Sequence, residues 1–270
     1  MKNASDRCRV FRELHQSGCF MIPNPWDAGS ARMLAQLGFP ALATTSSGFA
    51  WSLGKADNHV TLPEALAHFR SVTQAVTVPV NADFEGGFAI EPAAVAANVA
   101  AATETGIAGL SIEDSTGKAS APLFNFELAV ERIRAARSAI DDSRTGILLT
   151  GRSEGFIVGR PDIAETIRRL TAYAEAGADC LYAPGIATPE EISAVVKAVH
   201  PKPVNLLVGA AGPALKEAAA LGVRRISVGG ALARMAWAGF MKASKEMAEQ
   251  GTFAELANGY SGGELNKMFS

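Results

Sequence analysis

The feature of this sequence that most limits its fold is a repeating order of strand, helix and glycine. Amphipathic stretches typical of helices separate most of its short apolar runs, and four of them end at a glycine of the kind that closes a helix before a strand, at Gly38, Gly106, Gly177 and Gly222. The strand-like runs begin near Phe20, Ala41, Val78, Gly109, Gly146, Cys180, Val204 and Arg225. This alternation predicts a parallel α/β fold.

The number of repeats narrows the architecture. Thr61–Glu64 and Thr188–Glu191 have the spacing of a capping box, which marks two helix starts between predicted strands. Eight strands in 270 residues favour a closed (β/α)8 barrel of the TIM type over an open doubly wound sheet. No linker divides the chain, so we predict one domain over residues 1–270, with residues 230–270 forming a C-terminal helical extension.

Composition excludes several classes of partner. The chain is 48% hydrophobic and 19% charged, which permits a large core and argues against disorder. A net charge of −2 without a Lys/Arg cluster predicts no nucleic-acid partner. Cys8, Cys19 and Cys180 lack metal or redox spacing and are typical of reduced thiols. No apolar run reaches the roughly 18 residues of a membrane span. We therefore expect a cytoplasmic protein with no membrane partner.

Polar groups are concentrated where the predicted strands end. In a (β/α)8 barrel the active site is built at the carboxyl ends of the strands and in the loops that follow them. The predicted strand ends carry Asn24-Pro-Trp-Asp27, Thr44-Thr-Ser-Ser-Gly48, Asn81 to Glu85, Glu113-Asp114, Gly151-Arg-Ser-Glu154, Tyr182, Asn205 and Gly229-Gly230. The sequence therefore predicts a polar site at the barrel mouth.

The acidic residues of this set suggest a cation site. Asn81, Asp83 and Glu85 alternate, so they share one face if the strand geometry continues. Asp83, Glu113 and Asp114 supply the oxygen ligands that Mg²⁺ prefers. The alternatives are a solvated acidic loop after the strand, and an ion pair between Glu113 or Asp114 and a basic residue at the rim.

Two further features are suited to an anionic ligand. Arg152 ends an apolar strand, and its guanidinium fits a substrate carboxylate, although Glu154 is an equally good partner. Ser46, Ser47 and Gly48 offer hydroxyl and backbone N–H groups to an anionic oxygen. These patterns by themselves leave both interpretations open.

Several of these segments, taken in order, resemble the isocitrate lyase and phosphoenolpyruvate mutase superfamily. The matching segments are Asn24-Pro-Trp-Asp-Ala-Gly-Ser-Ala-Arg32, Thr45-Ser-Ser-Gly48, the loop at Asp57, Asn81-Ala-Asp83, Gly109-Leu-Ser-Ile-Glu-Asp114, Arg152-Ser-Glu154 and Tyr173-Ala-Glu-Ala-Gly-Ala-Asp179. The resemblance implies an α/β barrel whose last helix is exchanged between subunits of a homodimer or homotetramer. It also implies Mg²⁺ (or Mn²⁺) and a small 2-oxo acid substrate, with bonds made or broken beside a pyruvate unit.

The resemblance assigns roles residue by residue. Asp83 matches the metal-binding aspartate, Glu113 a glutamate that holds metal-bound water, and Arg152 the arginine that binds the substrate. Asp57 matches an acidic residue near the metal, and Glu85 is a further metal candidate. The substrate-binding candidates are Trp26, Ser46, Ser47, Gly48, Arg152 and Asn205; the catalytic candidates are Arg152, Asp57, Glu113, Lys118 and Tyr182.

The chain also departs from the family pattern. Asn81 replaces one aspartate of the family's Asp-x-Asp pair, which removes a negative charge. The loop Ser115–Pro122 lacks the Lys-Lys-Cys-Gly-His motif, so we expect neither isocitrate lyase nor methylisocitrate lyase activity. Tyr182 stands where phosphonomutases have histidine.

These observations predict a Mg²⁺-dependent lyase-like enzyme that acts on a small 2-oxo dicarboxylic acid through a pyruvate enolate, with oxaloacetate decarboxylation as the most concrete case. One alternative is a phosphonopyruvate mutase or hydrolase, and another is a protein that binds a 2-oxo acid or oxalate with little catalysis. For the proton donor to the enolate, Tyr182, Lys118 and water remain open.

Overall fold

The computed structural model describes residues 4–270, which form eight β-strands and eleven α-helices. The strands are β1 Phe20–Met21, β2 Leu42–Ala43, β3 Val80–Asp83, β4 Gly109–Glu113, β5 Leu148–Arg152, β6 Cys180–Tyr182, β7 Val204–Leu207 and β8 Arg225–Ser227. The helices are α1 Ala4–Leu14, α2 Ala28–Gln36, α3 Ser46–Ser52, α4 Leu62–Ala75, α5 Pro92–Thr103, α6 Phe126–Ser143, α7 Ile163–Glu175, α8 Pro189–Val199, α9 Leu215–Ala220, α10 Ala231–Gln250 and α11 Gly262–Phe269, with a 3₁₀ helix at Ala254–Asn258.

All eight strands are parallel and belong to one curled sheet. Its order is β1-β8-β7-β6-β5-β4-β3-β2, so the first strand pairs with the last. The backbone N–H of Ala43 donates to the Pro23 carbonyl at 3.1 Å, which links the β2 and β1 ends of the sheet. The predicted α/β fold of the TIM type is therefore confirmed. That residues 1–270 form a single domain stays a prediction.

The local signals in the sequence act as predicted. Both capping boxes form, Thr61 with Glu64 at α4 and Thr188 with Glu191 at α8. The glycines after α2, α5, α7 and α9 all have positive φ. Gly177 shows why glycine is required there: its φ is 106°, and a Cβ would lie 2.5 Å from Arg137 Cγ.

Helix α1 packs against the end of the barrel opposite the strand carboxyl ends. Its Phe11 is fully buried, and a Cβ on Gly109, the first residue of β4, would lie 2.7 Å from the Phe11 ring. Arg12 donates to the Gly146 carbonyl, just before β5, at 3.1 Å. The charged amphipathic N-terminal segment thus covers the lower end of the barrel and leaves the upper end for the site.

The C-terminal extension consists of α10, the 3₁₀ helix and α11. Helix α11 returns to α2, where Arg32 donates to the Phe269 carbonyl at 2.8 Å. Helix α10 exposes Met235, Trp237, Phe240 and Met241. Exchange of the last helix between subunits stays a prediction. Within residues 4–270, no helix has both the length and the apolar character needed to cross a membrane.

Candidate active site

A cavity of about 170 Å³ opens at the carboxyl ends of the strands. It brings together seven residues that the sequence predicted for the site: Ser46, Ser47, Asp57, Asp83, Arg152, Tyr182 and Asn205. Its other lining residues include Asn24, Thr44, Asn81, Arg225 and Ser227. We call this space the central cavity; its volume suits a small ligand of a few carbon atoms.

A second cavity of about 490 Å³ lies beside the first, under the loop that follows β4. Glu85, Glu113 and Lys118 line this side cavity, and Glu113 also contacts Arg152 of the central cavity. Trp26 lines neither space: it is half-buried, and its Cβ lies 3.0 Å from where a Cβ on Gly48 would be. The predicted site residues are thus divided between two adjoining cavities and two packing positions, Trp26 and Gly48.

Arg152, at the end of β5, connects the acidic residues. Its Nη1 lies 3.2 Å from Asp83 Oδ1 and 3.2 Å from Glu113 Oε2, and its Nε donates to Glu154 Oε1. The guanidinium also lies over the Tyr182 ring, 5.1 Å from its centroid. Burial alone would lower the pKa of Arg152, but the three carboxylates raise it well above its usual value. Arg152 therefore pairs with Glu154, one of the partners considered from the sequence, and it also lines the cavity in which a ligand could bind.

The start of α3 holds Asp83 in place. The backbone N–H of Ser46 donates to Asp83 Oδ2 at 3.0 Å, and the Ser46 hydroxyl donates to the same oxygen at 2.9 Å. Thr44 Oγ1 accepts from the Asp83 backbone N–H at 2.9 Å. Thr45 caps the helix through its side chain, which accepts from the Gly48 N–H. The segment predicted to bind an anion thus binds a carboxylate of the protein itself.

The carboxylates in this region outnumber the guanidinium. Burial, together with Asp83 and Asp57, raises the pKa of Glu85 to about 8. Burial also raises the pKa of Glu113 well above its usual value, although Arg152 opposes the shift. Desolvation and the neighbouring Asp83 raise the pKa of Asp57, which lies at the rim. Burial and mutual repulsion thus favour the neutral form of these acids, and an added positive charge would favour their ionised form.

Glu85 does not extend the face of β3 as the alternating pattern suggested. The strand ends at Asp83, and a tight turn follows in which Gly87 N–H donates to the Phe84 carbonyl at 2.8 Å. Glu85 has φ +46°, a left-handed conformation unfavourable for a non-glycine residue. Its carbonyl accepts from the Glu113 N–H at 3.0 Å. The backbone turn, rather than strand geometry, brings Glu85 toward the other acids.

The chemistry of this donor set fits a hard divalent cation. Asp57, Asp83, Glu85 and Glu113 supply carboxyl oxygens, the ligand type that Mg²⁺ and Mn²⁺ bind in proteins. Their arrangement is different: within residues 4–270 no group of three or more His, Cys, Asp or Glu is positioned to hold a metal ion. In this structure Asp83 and Glu113 contact Arg152 instead.

Asp114 supports the structure rather than offering a free oxygen ligand. Its Oδ2 accepts from Arg169 at 3.2 Å and from the Tyr173 hydroxyl at 2.7 Å, and its Oδ1 accepts from the Glu154 N–H at 2.7 Å. The alternative of an ion pair at the rim is therefore correct for Asp114. Through Glu154, this buried group holds the partner of Arg152 in place.

The floor of the central cavity contains polar residues that the sequence reasoning missed. Arg225 begins β8 and is only 3% exposed, and Ser227 lies on the same side of the strand. Arg225 donates to Asn205 Oδ1 at 2.8 Å and to Thr150 Oγ1 at 3.0 Å. The available signal was the alternation Arg225-Ile226-Ser227, which places two polar side chains inside a barrel that is usually apolar.

Asn81, the position of the family departure, also faces this interior. It is 4% exposed, and its Oδ1 has no hydrogen-bond partner among the described residues. A Cβ on Gly109 would lie 2.6 Å from that oxygen, so the amide lies deep in the barrel beside β4. An unpaired buried acceptor on the cavity wall is suited to a water molecule or a ligand donor.

Comparisons with family models, curated proteins and solved structures all find members of one superfamily. The model of the family described as phosphoenolpyruvate phosphomutase matches residues 11–248. A crystal structure from Burkholderia cenocepacia J2315, provisionally described as a lyase or mutase, has 46% sequence identity and a TM-score of 0.95, covering 98% of this chain and 97% of that one. The oxaloacetate decarboxylase of Paraburkholderia xenovorans is 31% identical over 232 residues, 82% of this chain and 74% of that protein. A 2,3-dimethylmalate lyase structure has 26% identity and a TM-score of 0.88, covering 100% and 96% of the two chains.

Proposed function

The chain belongs to the phosphoenolpyruvate phosphomutase family, within the isocitrate lyase and phosphoenolpyruvate mutase superfamily, and on that premise we propose that it is a Mg²⁺-dependent lyase-like enzyme that decarboxylates oxaloacetate or a similar small 2-oxo dicarboxylic acid. One observation carries the proposal. The guanidinium of Arg152 reaches a small central cavity from within a cluster of acids that outnumber it.

The proposed reaction breaks the bond between C3 and C4 of the substrate. C4 leaves as carbon dioxide. The electron pair of the broken bond moves toward the C2 carbonyl and gives the enolate of pyruvate. A proton added at C3 then gives pyruvate. Arg152 binds the C1 carboxylate and the C2 oxygen, because its planar fork of donors matches two oxygens. Ser47, which also lines the cavity, adds a hydroxyl donor.

The metal belongs to the acidic side of the site. Asp83 would anchor it, with Glu113, Asp57 and Glu85 holding its water ligands. When bound, a divalent cation supplies positive charge that stabilises the enolate oxygen. Ser46 supports this role of Asp83, because its two hydrogen bonds leave Asp83 Oδ2 fixed in direction.

The direct test is pyruvate release from oxaloacetate by purified protein with Mg²⁺. Because the metal alone promotes this decarboxylation, the control contains Mg²⁺ without protein. We expect release well above the control and its loss when the metal is removed with a chelator. The Asp83→Ala variant should lose the metal-dependent rate while keeping its fold, and Asp83→Asn, which keeps the shape of the side chain, should lose it too. An unchanged rate in both variants would refute the assignment of Asp83.

Two other functions remain as alternatives. Phosphonopyruvate mutase or hydrolase chemistry is supported by the family model, and phosphorus NMR of phosphonopyruvate with the protein distinguishes it from decarboxylation. A 2-oxo acid or oxalate binding protein is supported by the self-contained pairing of Arg152 with acids of the protein. Tight oxalate binding without turnover of a panel of 2-oxo acids would favour that function.

We also propose that the protein is a homodimer or homotetramer in which α10 packs against another copy. Met235, Trp237, Phe240 and Met241 form an exposed apolar surface on this helix, which in a monomer would face water. Light scattering after chromatography tests this: Trp237→Ser with Phe240→Ser should reduce the molar mass to that of one chain.

A further inference from the structure

A single buried arginine binds the backbone of the turn between β3 and α5. Arg132 of α6 is only 1% exposed. Its Nη1 donates to the carbonyls of Ala89 and Ile90, the second at 2.7 Å, and its Nη2 donates to the carbonyl of Gly86. Burial lowers the pKa of Arg132 to about 10, so the guanidinium is still charged at pH 7. Among residues 4–270, its hydrogen-bond partners are thus carbonyls of the turn and not carboxylates.

This turn has an unfavourable backbone. Glu85 and Phe88 have φ of +46° and +55°, a left-handed conformation that is uncommon for residues other than glycine. Such a conformation persists only where the surrounding structure fixes it. Asn98 of α5 donates to the Gly87 carbonyl at 2.9 Å, so it fixes one carbonyl where Arg132 fixes three. Arg132 is therefore the main side chain that holds the strained turn.

The same turn carries one acid of the candidate site. Glu85 lines the side cavity together with Glu113, and its carbonyl accepts from the Glu113 N–H at 3.0 Å. A Cβ on Gly86 would lie 3.2 Å from Arg132 Nη2 and 3.4 Å from the Ser115 carbonyl. The turn is therefore in close contact both with the guanidinium and with the start of the loop after β4. A movement of Arg132 would also move the backbone that carries Glu85.

A further contact fixes Arg132 itself. Its guanidinium lies over the Phe124 ring, 4.0 Å from the centroid. The Phe124 N–H donates to the Asp114 carbonyl at 2.9 Å, and Ser115 pairs with Leu123 just before it, so the ring lies at the base of the loop after β4. The position of Arg132 is thus defined by a second element, independently of the turn that it holds.

We propose that Arg132 is a positioning residue of the candidate active site: it keeps the turn after β3 in its strained form and so directs the Glu85 carboxyl group to the divalent cation. The role toward the cation rests on the proposed function, whereas the hold on the turn rests on the contacts of Arg132 alone. Arg132 lines neither the central nor the side cavity, so it acts on a bound metal only through the turn.

Binding of Mn²⁺ to the purified protein, followed through the EPR signal of the free ion, tests this role without any substrate. We expect Glu85→Gln to weaken binding by about 10–100-fold, the factor typical of groups that orient metal ligands. Arg132→Lys keeps the charge, but one ammonium cannot reach carbonyls that two separate nitrogens of the guanidinium bind, so it should weaken binding by a similar factor. Arg137→Lys is the matched control. Arg137 lies on the same helix, but it pairs with Asp141 and Asp179 at the opposite end of the barrel, so Mn²⁺ binding should be unchanged.

The double variant Arg132→Lys with Glu85→Gln separates positioning from a general loss of structure. If Arg132 acts through Glu85, the double variant should bind Mn²⁺ as weakly as Glu85→Gln alone. Losses that multiply, or unchanged binding in Arg132→Lys, would show that the proposal is wrong. Gly86→Ala perturbs the same contact in a protein that keeps Arg132, because it places a methyl group against Nη2. It should also weaken Mn²⁺ binding, and it provides the test if Arg132→Lys does not fold.

Backbone hydrogen exchange tests the hold on the turn without a metal. In Arg132→Lys and Gly86→Ala, the amides of residues 84–91 should exchange faster while those of β5 to β8 keep their wild-type rates. Unchanged exchange in the turn would refute the proposal. Wild-type protein that binds no Mn²⁺ would contradict the proposed metal, while the exchange rates would still decide whether Arg132 holds the turn. Mn²⁺ binding without release of pyruvate from oxaloacetate would contradict the proposed reaction and leave the role of Arg132 standing.

Discussion

Two buried arginines, one at the mouth and one at the floor of the same barrel, have opposite surroundings. Arg152 contacts Asp83, Glu113 and Glu154. Arg225 contacts the neutral side chains of Asn205, Thr150 and His15. The mouth therefore has three carboxyl groups around one arginine, and the floor has an arginine without a carboxylate partner.

The difference shows how each of the two arginines can act on a ligand. At the mouth, the acids compete with a substrate for Arg152, so a divalent cation that binds the acids would free the guanidinium for the ligand. At the floor, neutral acceptors leave the charge of Arg225 uncompensated, and its field favours an anion in the cavity above. Backbone strain is also uneven: Asn58, Glu85 and Phe88 have positive φ and all line the side cavity near the mouth.

The largest expected effect comes from replacing Arg152, the arginine at the mouth. Arg152→Met should lower kcat/KM for oxaloacetate by about 10²–10³-fold or more, because the donors to the developing charge are lost. Arg152→Lys should recover only part of this activity, since a single ammonium cannot form the two parallel bonds of a guanidinium. Steady-state kinetics with saturating Mg²⁺ measure both variants. A loss of less than tenfold in Arg152→Met would show that Arg152 does not bind the reacting part of the substrate.

Replacing Arg225, the arginine at the floor, should chiefly lower the free energy of unfolding. Arg225→Met leaves the buried acceptors of Asn205 and Thr150 without their donor, which costs about 1–3 kcal/mol of the free energy of unfolding. At the mouth, by contrast, the acids freed in Arg152→Met can take up protons or a cation. Denaturant unfolding of both variants tests the comparison, and equal destabilisation by the two would contradict it.

A third, smaller effect concerns pH. His15 has a pKa of about 3 in the folded protein, against 6.5 for an ordinary histidine. Between these values the unfolded chain binds more protons than the folded one, so stability is complete above about pH 6.5 and falls as the pH decreases toward 3. The slope from one group is at most about 1.4 kcal/mol per pH unit. His15→Gln keeps an acceptor for Arg225, and unfolding curves between pH 4 and pH 7 should show a shallower decline.

His68 provides the matched control for this slope. Burial lowers its pKa to about 4, but its Nε2 has no hydrogen-bond partner among the described residues, and it stacks on Phe49 rather than on the barrel floor. The decline should therefore become shallower still when His68 is also replaced. An unchanged slope in His15→Gln would mean that His15 has the same pKa in the folded and the unfolded protein.

The smallest effect should come from the strained turn at the mouth. Glu85→Gly relieves an unfavourable φ of +46°, and Glu85→Gln keeps it while removing the charge. We expect the glycine variant to be more stable than the glutamine variant by no more than about 1 kcal/mol, because the greater freedom of glycine in the unfolded chain offsets part of the gain. Thermal unfolding compares the two. A less stable glycine variant would indicate that the turn carries no strain.

The sequence could predict the parts of this molecule that depend on local pattern. The strand starts are correct to within two residues, and the strand ends hold the central cavity because strand order and chain order agree. Tyr182 and Asn205 line that cavity as a consequence.

The missed residues depend on partners far away in the chain. Arg169 follows no apolar pattern in α7, yet it is buried because Asp114, 55 residues earlier, supplies its counter-charge. Arg225 is buried through acceptors 20, 75 and 210 residues away. The direction of the Glu85 side chain does not follow the alternation of β3. It is set by the turn after the strand, which the alternation pattern cannot describe.

The contact between His15 and Arg225 also bears on how the chain is made. The two residues are 210 positions apart, and a ribosome adding about 5–20 residues per second needs roughly 10–40 s to cover that distance. During this interval the inner face of α1, with Phe11 and the adjoining His15, has emerged without the strand that completes its environment. Helix α1 therefore reaches its final contacts only after β8 has been translated, and the nascent chain must keep this apolar face from aggregating until then.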